Sequence, residues 1–157
     1  MRESGAKNSV PPRGPWSHDQ IERYLVETRV PLRLACNRAS GHPLLASLWY
    51  VPLEGKLWCA TQKTARVGSL LAEDPRCTFE VAGDRPPYRG VRAKAVATLD
   101  DSRGEEILRL LIARYLDTPA SRLARWLLAR AENETAIAIE PKRLLSWDYT
   151  ERMEPGA

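Results

Sequence analysis

Histidine, cysteine and phenylalanine are scarce in this chain of 157 residues, which has two histidines, three cysteines and one phenylalanine. With only His18 and His42, both in polar surroundings, the sequence offers little material for a catalytic triad or a histidine metal cluster. The cysteines lie far apart in apolar stretches without CxxC spacing, which indicates neither a disulfide framework nor a metal site. We therefore expect no hydrolytic machinery and no bound metal, and we expect Cys36, Cys59 and Cys77 to be reduced and buried.

Long apolar runs and a strong net charge are also missing. No stretch approaches the roughly 20 apolar residues of a membrane helix, and the chain does not start with the pattern of a secretory signal, so we expect a cytoplasmic protein. The formal net charge of +4 is too small to indicate nucleic acid, although it permits an anionic ligand. A composition with 43% hydrophobic and 28% charged residues is typical of one globular domain.

The first 15 residues are rich in Gly, Asn, Ser and Pro and carry few aliphatic side chains. Such a segment cannot bury enough surface to offset the entropy of ordering it, so we predict a flexible tail over residues 1–15. Ser17 then begins an S-x-x-Q capping box with Gln20, which predicts a helix that ends before Pro31. Residues 154–157 are predicted to be a short C-terminal tail.

From Leu32 to Leu99 the apolar pattern is typical of strands that bury one face. Turn-forming residues at 38–42 and 54–55 separate the first segments. The predicted strands are Leu32 to Cys36, Leu44 to Val51, Leu57 to Thr61, Cys77 to Val81, and Val91 to Leu99. Such a series of antiparallel strands favours a small barrel, because an open sheet would leave unprotected edges.

Three helices are predicted in the remainder of the chain. One extends from Thr64 to Ala72 and ends at Asp74-Pro75, and a second follows a capping box of Ser102 with Glu105. The third starts at Thr118-Pro119 and carries Leu123, Trp126 and Leu127. Strand character then returns at Thr135 to Ile139 and at Leu144 to Tyr149, which Pro141 either bends or separates.

The segment from Thr61 to Arg66 carries the clearest chemical signal. Lys63 and Arg66 flank the predicted start of a helix, where the positive end of the dipole repels cations by some tenths of a kcal/mol. Two cations, two hydroxyls and free backbone N–H groups at one helix start favour a bound anion such as a phosphate. The alternative, which the residues leave open, is that both cations are solvated and their repulsion is screened by salt.

Five segments in this order carry a resemblance to a known family. They are Pro43 to Tyr50, Gly55 to Thr61, Asp74-Pro75-Arg76, Pro87 to Val91, and Ser146 to Tyr149. Over roughly residues 17–153 the chain resembles the pyridoxamine 5'-phosphate oxidase-like flavin split-barrel family.

The resemblance implies an α+β fold that is mainly β, with residues 16–153 forming one six-stranded antiparallel split barrel. It also implies a homodimer with two flavin or deazaflavin molecules between the subunits. The implied cofactor phosphate lies near Thr61, Gln62, Lys63, Thr64 and Arg66, and the implied ring lies along Ala46, Ser47, Leu48 and Trp49. Val67 replaces a second basic residue that many relatives carry.

These considerations indicate an oxidoreductase that uses FMN on an unknown small molecule, because one compact basic cluster suits one phosphate. The cofactor alternative is the 8-hydroxy-5-deazaflavin coenzyme. A second hypothesis is a non-enzymatic split barrel that holds flavin or haem. A third, binding of single-stranded nucleic acid through aromatic and basic strand residues, is disfavoured by the small net charge.

Overall fold

The structure is a computed structural model and describes residues 10–154. Helix α1 (His18–Glu27) begins at the predicted capping box, in which the Ser17 hydroxyl accepts from the Gln20 N–H and the Gln20 side chain accepts from the Ser17 N–H. The helix ends before Pro31, as expected. Residues 1–9 and 155–157 of the predicted tails lie outside the described residues, whereas Arg13 hydrogen-bonds the backbone of Leu144 and Ser146.

Within residues 10–154, seven strands form one antiparallel sheet. Their order across the sheet is β2-β1-β5-β6-β7-β4-β3. In chain order they are β1 (Leu32–Cys36), β2 (Leu44–Leu48), β3 (Val51–Leu53), β4 (Lys56–Gln62), β5 (Arg76–Ala82), β6 (Arg89–Asp100) and β7 (Glu134–Asp148). Strand β7 continues through Pro141, so this segment is one strand and not two short strands.

The sheet is curled into a barrel that stays open along one seam. Its two edge strands, β2 and β3, are consecutive in the chain and are joined by Trp49 and Tyr50 alone. Because each residue advances the chain by at most about 3.8 Å, Leu48 and Val51 lie within roughly 11 Å of each other. The two edges therefore meet without pairing, which is the geometry of a split barrel.

The structure has one strand more than the predicted six, because the segment from Leu44 to Val51 divides into β2 and β3. The Tyr50 side chain is fully buried, and its hydroxyl lies 2.8 Å from Leu25 O and 2.7 Å from Thr28 O at the end of α1. Trp49 stacks on Tyr115 with 5.0 Å between the ring centroids. These contacts turn the chain out of β2, and a hairpin turn at Glu54-Gly55, both with positive φ, then joins β3 to β4.

The other helices are α2 (Arg66–Glu73), α3 (Gly104–Tyr115), α4 (Arg122–Leu128) and α5 (Thr150–Met153). The predicted capping box of Ser102 is wrong, because the Asp100 carboxylate accepts from both the Ser102 N–H and its hydroxyl in a 3₁₀ turn. The third predicted helix begins at Arg122 and not at Pro119, because Ser121 caps it through the Ala124 N–H.

Three apolar clusters hold the barrel and its helices together, and the third joins Leu108 and Ile112 of α3 to Ala124 of α4. Inside the barrel, side chains from the strands pack against α1 and α2; Phe79, Leu34 and Ile137 are among the fully buried ones. On the outside of β4 and β7, Trp58 and Ala138 pack against Ile107 and Leu111 of α3. Alternate residues of β4 and β7 thus serve different layers, as strand geometry requires. The free cysteines Cys36, Cys59 and Cys77 are buried, as predicted.

None of the helices within residues 10–154 combines the length and the apolar character needed to cross a lipid bilayer.

Candidate functional site

The segment between β4 and α2 is a tight turn with an exposed tip. The Ala65 N–H donates to Gln62 O at 2.9 Å and closes the turn. The Lys63 N–H donates to Asn133 O at 2.8 Å, which fixes the turn against the 3₁₀ turn Ala131–Asn133. The side chains of Lys63 and Thr64 are exposed. A rigid backbone thus presents one cation and one hydroxyl to solvent.

Helix α2 begins at Arg66, two residues later than predicted. Its N-cap residue is Ala65, no side chain caps its first turn, and that turn contains no acidic residue. The first N–H groups of a helix carry a partial positive charge, and here the first helical residue is the exposed cation Arg66. The helix start is therefore electropositive and has no carboxylate of its own.

The two predicted cations are held loosely. Lys63 Nζ donates to the Glu132 backbone carbonyl at 3.0 Å, and an Arg66 guanidinium nitrogen lies 3.4 Å from Ser69 Oγ. Within residues 10–154 neither side chain forms an ion pair. Both positive charges therefore remain uncompensated by protein carboxylates.

The structure adds a third cation that the sequence analysis missed. Arg130 lies 3.5 Å from Gln62 Oε1, and its guanidinium lies 4.7 Å from the centroid of the Trp126 ring, which is 56% exposed. No local pattern connects residue 130 with residue 62, so the sequence contained no signal for this contact. We call Gln62, Lys63, Thr64, Arg66 and Arg130 the basic cluster.

Glu134 is the carboxylate that contacts the basic cluster. Only 6% of the residue is exposed, and its carboxylate accepts from Gln62 Nε2. Burial raises the pKa of Glu134, while the hydrogen bond from Gln62 and the charge of Arg130 act in the opposite direction. The Glu134 carboxylate faces Gln62 and Arg130. It therefore does not neutralise Lys63 or Arg66, and these two cations are free to bind an external anion.

The predicted ring-binding segment lies on β2. The side chains of Ala46 and Leu48 pack against the barrel interior, so only the backbone of these residues is free to contact a ligand. Ser47 is exposed on the outer face, next to Leu45, which is 70% exposed. As an edge strand, β2 also has unpaired backbone groups along the seam. Trp49 is fixed by its stacking on Tyr115.

The structure does not connect the two halves of the predicted site directly. Among the described residues, no strand pairing and no hydrogen bond connects the segment 46–49 to the basic cluster. Thr61 lies at the end of β4 opposite Thr135, whose hydroxyl is buried without a hydrogen-bond partner. Val67, where the resemblance would lead one to expect a second basic residue, packs into the barrel core.

No family model and no curated protein matches the sequence, but solved structures resemble the chain. A conserved hypothetical protein from Mycobacterium tuberculosis has a TM-score of 0.74 at 24% identity, covering 91% of this chain and 94% of that one. An F420 reductase has a TM-score of 0.65 at 18% identity, covering 78% and 94%.

Two further structures broaden the comparison. A putative pyridoxamine 5'-phosphate oxidase from Listeria innocua has a TM-score of 0.61 at 16% identity, covering 80% of this chain and 94% of that one. The haem storage protein HutZ from Vibrio cholerae has the same TM-score and identity, covering 81% and 92%. At these identities the likeness concerns the fold, and it confirms the split barrel that the family resemblance implies.

Proposed function

We infer from the pyridoxamine 5'-phosphate oxidase-like split-barrel fold of this chain, together with its basic cluster, that the protein binds a phosphate-bearing flavin. The observation that carries the proposal is the uncapped start of α2, where the exposed Lys63 and Arg66 lack protein carboxylates. A phosphate there would accept from the first backbone N–H groups of α2 and from both cations. The residues present thus suit the cofactor class.

The remaining predicted residues have supporting roles. Thr64 offers a hydroxyl at the turn tip, Gln62 and Arg130 orient each other beside it, and the open edge of β2 with Ser47 offers backbone and hydroxyl groups to a planar ring. A bound flavin supplies hydride or electron transfer to a small molecule, while these side chains bind and orient it. We propose that the protein is an FMN-dependent oxidoreductase on this basis.

The oligomer that we propose is a homodimer. Within residues 10–154, no helix contributes to an apolar cluster on the outward face of β1 and β2, which presents Leu45, an aliphatic side chain that is 70% exposed. A second copy of the chain would remove this apolar surface and the free edge of β2 from water. The cofactor would then lie at the subunit boundary, close to the basic cluster.

The second candidate cofactor is the 8-hydroxy-5-deazaflavin coenzyme, which the likeness to an F420 reductase favours. Both cofactors carry a phosphate and a planar ring, so the basic cluster suits either one. Arg130, within the cluster, lies over the exposed Trp126 ring, and the two would extend a contact surface for a longer anionic ligand.

The third candidate is haem held without turnover, which the likeness to a haem storage protein favours. Histidine is a common axial ligand of haem iron. His18 is half-buried, with its ring nitrogen 3.2 Å from Val10 O, and His42 is exposed in the loop between β1 and β2. Neither histidine belongs to the basic cluster, so haem would need a different site.

The decisive experiment identifies the ligand and then its chemistry. The purified protein is denatured, the released chromophore is identified by mass, and the stripped protein is titrated with FMN, with the deazaflavin coenzyme and with haem. We expect saturable FMN binding and reduction of the bound flavin by a nicotinamide donor under anaerobic conditions. Tight haem binding without flavin binding would contradict the proposal, and a bound flavin that never cycles would reduce it to a carrier.

A further inference from the structure

A β-bulge interrupts the pairing of β6 with β7. Lys94 lies opposite Arg143, but the next residue, Ala95, lies opposite Pro141, so Lys142 is an extra residue in β7. In a regular strand, neighbouring side chains point to opposite faces. Here Lys142 and Arg143 both line the same groove on the outside of the barrel, together with Lys94. The bulge therefore concentrates three cations on one face.

This groove, which we call the bulge groove, has a volume of ≈ 380 Å³. It is lined by the cations Arg76, Lys94, Lys142 and Arg143 and by the polar side chains Asn37 and Thr78. Among the residues that the structure describes, no carboxylate belongs to the lining. The volume falls within the range of small-molecule pockets, roughly 300–1,000 Å³.

Two of these cations have no counter-charge. Arg76 forms an ion pair with Asp74 at 2.8 Å, and Lys142 forms one with Glu140 at 2.8 Å. Over residues 10–154, the side chains of Lys94 and Arg143 have neither an ion-pair nor a hydrogen-bond partner. The groove therefore has a net positive charge that the protein leaves unbalanced.

The register makes this arrangement unfavourable without a ligand. Lys94 and Arg143 are direct cross-strand partners, and like charges in such a pair destabilise a sheet. On the same sheet face, two residues earlier on β6, Arg92 lies opposite Glu80 and forms an ion pair at 2.6 Å. The neighbouring pair thus follows the stabilising pattern, whereas Lys94 and Arg143 depart from it in a concave surface.

We propose that the bulge groove binds a small oxyanion, a phosphate or a carboxylate group, between Lys94 and Arg143. The planar guanidinium of Arg143 suits a bidentate contact with either group, and Lys94 adds a point charge from the opposite strand. Thr78 and Asn37 offer polar groups for the rest of the ligand. None of the residues of the basic cluster lines this groove, so the site is separate from the proposed cofactor site.

The test titrates the protein with inorganic phosphate and, separately, with succinate, at constant ionic strength held by chloride. Backbone amide shifts of Thr78 and Val96, which line the groove, report binding at the site. We expect saturable shifts with at least one probe, and the stronger of the two identifies the oxyanion class. Absence of saturable shifts with both probes would overturn the proposal.

Variants assign the binding to these two cations. In the double variant K94Q/R143Q the affinity should fall at least about a hundredfold, because each of the two lost charge-assisted contacts contributes about one decade or more. Arg109→Gln, which removes a cation paired with Glu105 on α3, should bind like the parent. Amide spectra otherwise unchanged show that the variants fold. Full affinity in the double variant would refute the assignment.

A further variant separates this proposal from the proposed function. Arg66→Ala removes a cation of the basic cluster but none of the groove, so phosphate binding at Thr78 and Val96 should persist. If Arg66→Ala abolishes these shifts while K94Q/R143Q keeps them, the phosphate binds at α2 and the bulge groove is not a site. If Arg66→Ala loses FMN binding but keeps these shifts, the result bears on the basic cluster and leaves the proposal for the bulge groove intact.

Discussion

Replacing Arg66 by alanine tests the placement of the cofactor phosphate. In the structure, the Arg66 guanidinium makes one weak side-chain contact, at 3.4 Å from Ser69 Oγ, and it is exposed. It also lies at the positive end of α2, where a cation costs some tenths of a kcal/mol. The fold should therefore tolerate the substitution, and its effect should appear in ligand binding.

The expected magnitude follows from the contact that is lost. A hydrogen bond between a guanidinium and a phosphate contributes about 1.5–3 kcal/mol. At about 1.4 kcal/mol for each factor of ten, FMN affinity should fall by about ten- to a hundredfold. Riboflavin has no phosphate, so its affinity should hardly change.

The assay is quenching of flavin fluorescence on titration of the stripped protein with FMN and with riboflavin. Arg122→Ala is the matched control, because Arg122 is likewise the exposed first residue of a helix, but Ser121 caps that helix. The control should bind FMN like the parent. Thermal unfolding of both variants shows whether each remains folded.

Two results would refute the reasoning. If Arg66→Ala binds FMN as tightly as the parent, the phosphate does not contact this guanidinium. If the affinities for FMN and riboflavin fall equally, the substitution has weakened binding of the ring and not of the phosphate. In either case the phosphate would have to be placed away from the start of α2.

Further predictions concern the fold and assembly. Gly104→Ala should lower the free energy of unfolding by about 2 kcal/mol or more, measured by denaturant, because a Cβ there would lie 2.0 Å from Glu134 O. Tyr50→Phe should cost about 0.5–1.5 kcal/mol by the same measurement, since it removes the buried hydrogen bond of the hydroxyl to the end of α1, while Arg114 still donates to Leu25 O and Thr28 O; an unchanged midpoint would contradict this. Burial raises the pKa of the Cys77 thiol to about 12, so native protein should react slowly with a thiol reagent at pH 8, and labelling should accelerate on unfolding. Sedimentation at micromolar concentration should give the mass of a dimer; the mass of one chain, 17.7 kDa, would contradict the proposed assembly.

Local patterns in the sequence determined much of the fold. The Ser17 and Gln20 capping box places α1, and alternation of buried and exposed residues places β1, β5 and β6. The Glu54-Gly55 turn between β3 and β4 also follows from residue type. These features depend on neighbours a few residues apart, so one sequence is sufficient to predict them.

Two of the predicted helix starts are wrong because neighbouring residues compete for the same hydrogen bonds. Ser102 has the spacing of a capping residue, but its N–H and hydroxyl donate to Asp100, which is closer in sequence than Glu105. Ser121 caps α4 in place of a start at Pro119. In both cases several residues could accept hydrogen bonds from the unpaired N–H groups at the helix start, and helix propensity alone does not predict which residue does so.

The sequence by itself determined which cations belong to the turn before α2, because Lys63 and Arg66 are near neighbours along the chain. Only the tertiary structure brought Arg130 to Gln62, and only strand register placed Lys94 opposite Arg143. The division of β2 from β3 likewise depends on Tyr50 reaching the end of α1. Such contacts join residues far apart in sequence, and they form because burying surface and pairing backbone groups across the whole chain outweighs local preference.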